Sequence, residues 1–312
     1  MKKQTTNTII MIRPEKFRLN EQTAVNNYYQ NTANLRQEAD YNLLAQQEFD
    51  VFVEKLQNAG VRVVVFRDDS GKDTPDSIFP NNWVSFHQNG DVALYPMFAE
   101  NRRLERREDV LDTLEEQNFR IQNIVDYTLA EEENLFLEGT GSLVLDRVNR
   151  KAYCALSQRA DEDLLIEFCE DFEYTPVIFT AYQTVAEKRL PIYHTNVMMC
   201  VARDFAVICL DCIDDAKERK NVINHLKQDG KEIVAISEAQ VEQFAGNMLA
   251  VEDALGKAIT VMSSSAYNSL TDAQKAVIEA HSTILHSSLS TIEQLGGGSA
   301  RCMMAEVFLP KK

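Results

Sequence analysis

The stretch GSARCMMAEVF, Gly298 to Phe308, runs from a small polar turn through an arginine and a cysteine into an apolar strand-like run. The same order of features occurs four times upstream, as NNWVSFH from Asn81, GTGSLVLD from Gly139, HTNVMMCVA from His194 and AGNMLAVED from Ala245. Taking Asn82, Gly141, Asn196, Asn247 and Arg301 as equivalent gives intervals of 59, 55, 51 and 54 residues. A near-constant period of this size is the mark of a repeat architecture. Four copies are followed by a second apolar strand: DVALYPM (91–97), KAYCALS (151–157), FAVICLD (205–211) and KAITVMS (257–263). The fifth is not, and NTIIMIRP (7–14) supplies the missing strand from the other end of the chain.

After each second strand comes an amphipathic pattern, around 34–59, 102–118, 160–171, 214–228 and 272–281, and then a β-rich run: VRVVVF, RIQNIV, TPVIFT, KEIVAI or STILHS. Each unit is thus ββαβ. Five such units predict an α/β fold, a pseudo-symmetric five-bladed α/β propeller closed by the N-terminal strand, with residues 1–312 as a single domain.

Composition narrows the function. With 48 acidic against 32 basic residues the net charge is −16, which offers no electrostatic footprint for nucleic acid or anionic lipid. Apolar runs such as NVMMCVARDFAVICL are broken by charge short of the roughly 20 residues a membrane span needs, and MKKQTTNTIIMIRPEKF lacks the apolar core of a signal peptide. The expectation is a cytoplasmic protein; a homo-oligomer is compatible with it. The six cysteines show no metal-ligand spacing, and the C-x-x-C of CLDC (209–212) stands without a second pair, so neither metal nor cofactor is expected. The basic cluster NRRLERRED (101–109) reads first as the solvated start of a helix, and second as the source of a substrate-binding arginine.

If equivalent repeat positions meet at an axis, Asn82, Glu138, His194, Asn196, Asn247 and Cys302 share one pocket. A thiol, an imidazole and a carboxylate are the parts of a nucleophilic site. Each alone is more ordinary: a cysteine opening a strand is usually a small core residue, a single histidine is usually structural, and Glu138 could cap a turn. Packing by itself gives no reason to place all three at one point of three different repeats. The glycines Gly296, Gly297 and Gly298 before Cys302 allow positive φ and close approach to a ligand, and the turn they form is expected to expose the Sγ and aim backbone N–H groups at the pocket; they are not a P-loop, which needs a Lys-Ser/Thr after the glycines.

On FPNNW, LEGTGS, LSQRAD, YHTN and GGGSARCMM, in this order and over nearly the whole chain, the sequence resembles the guanidino-group-modifying superfamily, the penteins, which includes arginine deiminases, dimethylarginine hydrolases and amidinotransferases. The resemblance implies Cys302 as nucleophile, His194 as general acid/base and Glu138 as the carboxylate on the substrate nitrogens. It implies Arg159, and Arg102 as a second arginine, for a substrate α-carboxylate, with Asp76 as a further contact.

The sequence departs from deiminases at two places: where they carry aspartate, this chain has Asn82 and Asn196. A guanidinium is cationic and all-donor, whereas a ureido group is neutral and carries a carbonyl oxygen that an amide can serve. The resemblance is accordingly nearest to bacterial citrulline hydrolases, implying L-citrulline hydrolysis to ornithine, ammonia and carbon dioxide. The alternatives are a deiminase, dimethylarginine hydrolase or amidinotransferase acting on a guanidino compound, and a non-catalytic propeller that binds a partner. Asn247 and Arg301 acquire no role beyond shaping the pocket, and His87, His225, His281 and His286 none at all.

Overall fold

The computed structural model describes residues 3–30 and 40–312. Five three-stranded sheets of one topology follow each other along the chain. In each, the central strand pairs antiparallel with an inner strand and parallel with an outer one. The first holds β1 (Thr8–Arg13) and, after helix α1 (Tyr41–Asn58), β2 (Arg62–Arg67). The second joins β3 (Val84–Phe86), β4 (Asp91–Leu94) and β5 (Asn123–Asp126), with helices α2 (Glu100–Arg103) and α3 (Glu108–Glu116) before β5. In the third, the turn of helix α4 (Gly139–Ser142) leads into β6 (Val144–Asp146), β7 (Lys151–Ala155), α5 (Glu162–Asp171) and β8 (Thr175–Phe179).

A hairpin of β9 (Tyr182–Val185) and β10 (Lys188–Pro191), not foreseen from the sequence, comes before the fourth unit. That unit is α6 (Thr195–Met198), β11 (Met199–Val201), β12 (Phe205–Ile208), α7 (Ala216–Gln228) and β13 (Glu232–Ala235). After the short α8 (Glu238–Val241) come β14 (Leu249–Glu252), β15 (Ala258–Ser263), α9 (Ser264–Ser269), α10 (Asp272–His281), β16 (Thr283–Ser287) and α11 (Ser290–Gly296). The last strand, β17 (Ala305–Glu306), lies on β1, with Ile9 opposite Glu306 and Ile10 opposite Ala305. The two ends of the chain therefore share a sheet, as the repeat demands.

Burial explains the strand patterns. Central strands are covered on both faces and read as continuous apolar runs, as in β12 (FAVI), whereas outer strands such as β2 (RVVVFR) alternate between buried and exposed. The helices lie on the sheets by one apolar face, as α1 does with Phe49, Phe52, Val53 and Leu56, and their starts are capped by Asp40, Asp161, Asp215 and Thr271. Two helix expectations need correction. The one over 34–59 begins at Tyr41, residues 31–39 lying outside those described, and the one over 102–118 is divided between α2 and α3. The division lets Glu105 turn back onto Arg102, so NRRLERRED is not a solvated face at its head: Arg102 and Glu105 are both buried. Neighbouring inner strands pack together, β17 on β3, β6 on β11 and β11 on β14, and each is entered through a tight turn. Among the described residues no helix is long and apolar enough to cross a membrane.

Candidate active site

The turns before the inner strands carry the candidate residues. Asn82 ends the 3-10 turn Pro80–Asn82, Glu138 precedes α4, His194 precedes α6, and Cys302 follows the turn after α11. Asn82, Asp76, Arg102, Arg159, His194 and Cys302 line one small cavity of about 10 Å³ together with Tyr193 and Asn27. That volume is about enough for a single water.

Close approach at this point depends on Gly141. A Cβ there would lie 2.8 Å from both Cε1 and Nδ1 of the His194 ring and nearer still to Asn82 Nδ2. Of the three successive glycines only Gly297 has positive φ (62°), as the C-cap of α11; Gly296 and Gly298 instead lie against the Phe79 ring. The glycines thus serve both a left-handed turn and close approach, here to Phe79, and the expectation that they expose the Sγ is corrected, since Cys302 is buried.

Cys302 is 3% exposed, and its Sγ receives N–H groups from Asn247 Nδ2 at 3.2 Å and Asn196 Nδ2 at 3.5 Å. Asn247, left without a role by its sequence context, is thus a direct neighbour of the sulfur. Its orientation is fixed because its Oδ1 accepts from the Arg301 backbone N–H at 3.0 Å. The only sequence signal was its place in the repeat. Asn196 likewise turns to the thiol.

Glu138 is fully buried. Its Oε1 accepts from the Phe98 backbone N–H at 3.0 Å, and its Oε2 lies 2.7 Å from His194 Nε2 and 3.5 Å from Arg159 Nη1. Burial pushes its proton affinity up, but Arg159, the His194 hydrogen bond and Arg102 outweigh this and hold it well below the usual carboxylate range. For His194 burial works downward and prevails over the pull of Glu138, leaving its pKa at about 4. The resting pair is therefore a carboxylate beside a neutral imidazole.

Arg102 is held by protein. Its Nε and Nη2 bind Glu105 at 2.9 Å each, Nη2 also reaches the Phe79 carbonyl at 3.2 Å, and Nη1 donates to Asn82 Oδ1 at 2.7 Å. It is placed to orient Asn82, and it lines the same cavity as Cys302 and Arg159. Glu105, its partner three residues on, was not singled out from the sequence, although the i,i+3 spacing carried the signal. With its oxygen occupied, Asn82 is left with a buried Nδ2 that has no hydrogen-bond partner among the described residues.

Asp76 Oδ2 accepts from Asn20 at 2.8 Å and Thr23 at 3.1 Å, while its buried Oδ1 is also unpartnered among the described residues. Arg159 stacks 4.7 Å over the Tyr193 ring and points Nε and Nη2 at Asn26 Oδ1, with Nη2 also on the Thr23 carbonyl at 3.1 Å. The segment from Asn20 to Gln30 thereby closes the cavity, pinned also by Asn27 on the Gly296 carbonyl.

Five units of one topology, with a thiol, an imidazole and a carboxylate at their inner turns, define a pentein. The family model described as N,N dimethylarginine dimethylhydrolase, eukaryotic, matches residues 13–309, and the chain belongs to that family. Among solved structures, it is similar to an arginine dihydrolase of the cyanobacterial ornithine-ammonia cycle (17% identity, TM-score 0.72), covering 98% of this chain and 41% of the other. The chain thus spans about two fifths of that relative's length. Against the N-terminal domain of the same enzyme with bound product the identity is 18% and the TM-score 0.70, over 97% of this chain and 99% of the domain. A dimethylarginine dimethylaminohydrolase adduct with S-methyl-L-thiocitrulline gives 13% and 0.61, over 98% and 100%. No curated protein matches the chain. At these identities the likeness is one of fold.

Proposed function

We propose that this protein is a cysteine hydrolase of a C–N bond in a ureido or guanidino amino acid, with L-citrulline as the favoured substrate. The observation that carries the choice is Asn82: Arg102 takes its oxygen and leaves an unpaired buried N–H donor on a residue that lines the same small cavity as Cys302. A ureido carbonyl oxygen accepts from such a donor, and a guanidinium, which has only donors, does not.

The chemistry follows from the pairings. His194, neutral at rest, takes the thiol proton, and the ionised Glu138 beside Nε2 stabilises the imidazolium that forms. The Sγ electron pair, steadied as a thiolate by the two amide N–H groups, attacks the ureido carbon. Asn82 Nδ2 donates to the developing oxyanion. The bond to the side-chain nitrogen breaks, His194 returns the proton to the departing amine of ornithine, and a carbamoyl thioester remains on Cys302. Water activated by His194 cleaves the thioester, and the carbamate released decomposes to ammonia and carbon dioxide. Asp76 Oδ1 suits an α-ammonium group, and Arg159 suits an α-carboxylate once Asn26 has moved away. The same proposal takes residues 1–312 as one five-bladed propeller domain closed at β1 and β17, working in the cytoplasm.

Membership of a dimethylarginine hydrolase family supports a second version, with the same thiol acting on a guanidino compound held by Glu138. Ammonia and amine release from L-citrulline, L-arginine and dimethylarginine, each with a Cys302→Ala control, separates the two. Turnover of citrulline alone, lost in the control, is expected. Turnover of a guanidino compound alone overturns the role given to Asn82. Inertness towards all three favours a non-catalytic binding protein.

A further inference from the structure

The turn between β6 and β7 lies at the end of its sheet away from Glu138, and it carries Arg147 and Arg150. Arg147 is 6% exposed, yet its guanidinium makes no hydrogen bond to any described residue. It stacks 4.0 Å over the Phe308 ring, and its nearest carboxylate oxygen, Glu306 Oε2, is 3.8 Å away. That oxygen already accepts from Arg301 Nη2 at 2.8 Å. Two buried arginines therefore share one carboxylate, and the Arg147 charge has a counter-ion at 3.8 Å but no hydrogen-bonded one among the described residues, in a setting where an under-compensated ion is costly.

Beside Arg147 opens a cavity of about 260 Å³, walled by Phe172, Tyr174 and His87. Arg150 stands at its rim, 4.4 Å over the Tyr174 ring, with Nε and Nη2 on the carbonyls of Glu173 and Phe172 and Nη1 unpartnered among the described residues. The Glu173 carboxylate, 3.4 Å from Nη2, is 86% exposed and screened by solvent. His87, whose Nε2 meets Ser85 Oγ at 2.8 Å, is kept neutral by burial and by the fields of Arg147 and Arg150. Arg147 and Arg150 both line this cavity, in a chain whose net charge is −16.

We propose that the cavity is a binding site for a small organic oxyanion, a carboxylate or a phosphate, held between the Arg147 and Arg150 guanidinium groups with its body against Phe172 and Tyr174. Guanidinium forks match both anions, and the deep one has all its donors to give. The site is separate from the thiol and stands whatever Cys302 does.

Thermal unfolding of the full chain in buffers of matched ionic strength, with added inorganic phosphate or succinate, tests it. A saturable rise in Tm is expected with at least one of the two, and the stronger one tells phosphate from carboxylate. Arg150→Gln should weaken the apparent affinity about tenfold or more, as loss of a charge-assisted hydrogen bond does. Arg147→Gln should abolish the effect while unfolding no earlier than wild type in anion-free buffer, because Glu306 keeps its closer partner Arg301 and the buried charge removed had only a shared counter-ion. Arg159→Gln, in the thiol pocket, should keep the effect. No saturable shift, a shift untouched by Arg150→Gln, or one lost in Arg159→Gln instead overturns the proposal. If Arg147→Gln does not fold, Arg150→Gln decides.

Discussion

Asn82 shows how one buried amide is given its sense by a neighbour. Arginine N–H groups only donate, so the atom facing Arg102 is Asn82 Oδ1 and the atom left over is Nδ2. Asn82→Asp replaces that donor with an acceptor, and citrulline kcat/KM is expected to fall by about a hundredfold, the scale of one lost oxyanion donor, while arginine turnover holds or rises. Steady-state kinetics on both substrates check it. His194 makes a stability prediction of definite sign. Its folded-state pKa of about 4 lies below the ordinary 6.5, so between these values the unfolded chain binds a proton that the folded one refuses. Stability from this group is complete above pH 6.5 and is lost as pH falls towards 4, by roughly 3 kcal/mol. Urea denaturation across that window should show a flatter decline in His194→Gln, whose amide can still donate to Glu138. Cys302, His194 and Glu138 were legible as a set because the repeat placed them together. Glu105 and Asn247 were not, since an amide or a second acid at a turn is ordinary until its contacts are known.

Two elements decide access to the thiol. In the α4 turn Gly141 leaves room for Asn82 and the His194 ring to meet, so Gly141→Ala must push one of them away. Turnover about a hundredfold lower is expected, with a stability loss of about 1–3 kcal/mol, to be separated by kinetics and denaturant unfolding. The other element is the segment from Asn20 to Gln30, which fills the Arg159 fork with Asn26 and leaves no space for an amino acid over Cys302. Asn26→Ala should loosen it, and iodoacetamide should then label Cys302 several-fold faster while the other five buried cysteines keep their rates. Equal labelling would mean that the segment does not gate the site. The longer helices were readable from their apolar faces, although α2 and α3 read as one. The covering segment was not, because its polar asparagines match side chains distant in sequence rather than any local pattern.

Across the molecule the chain ends are held in one sheet, so stability rests on a contact between the first and last strands. Ile10, fully buried between Ala305 and Val64, is expected to cost about 2–5 kcal/mol as Ile10→Ala, against less than about 1 kcal/mol for Val65→Ala on the half-exposed face of β2. Equilibrium denaturation of both variants measures the difference. The five ββαβ units and the shared terminal sheet were legible in sequence alone, because apolar period and turn chemistry are local and repeat along the chain; the β9–β10 hairpin and the break between α2 and α3 were not. The tertiary structure decided which polar atoms are used up and which are left over. Asn196 reaches Cys302 across 106 residues and Arg159 reaches Asn26 across 133, and the saturation of a buried donor or acceptor depends on such partners. The free N–H of Asn82 and the shared counter-ion of Arg147 are remainders of that pairing, which no local stretch of sequence contains.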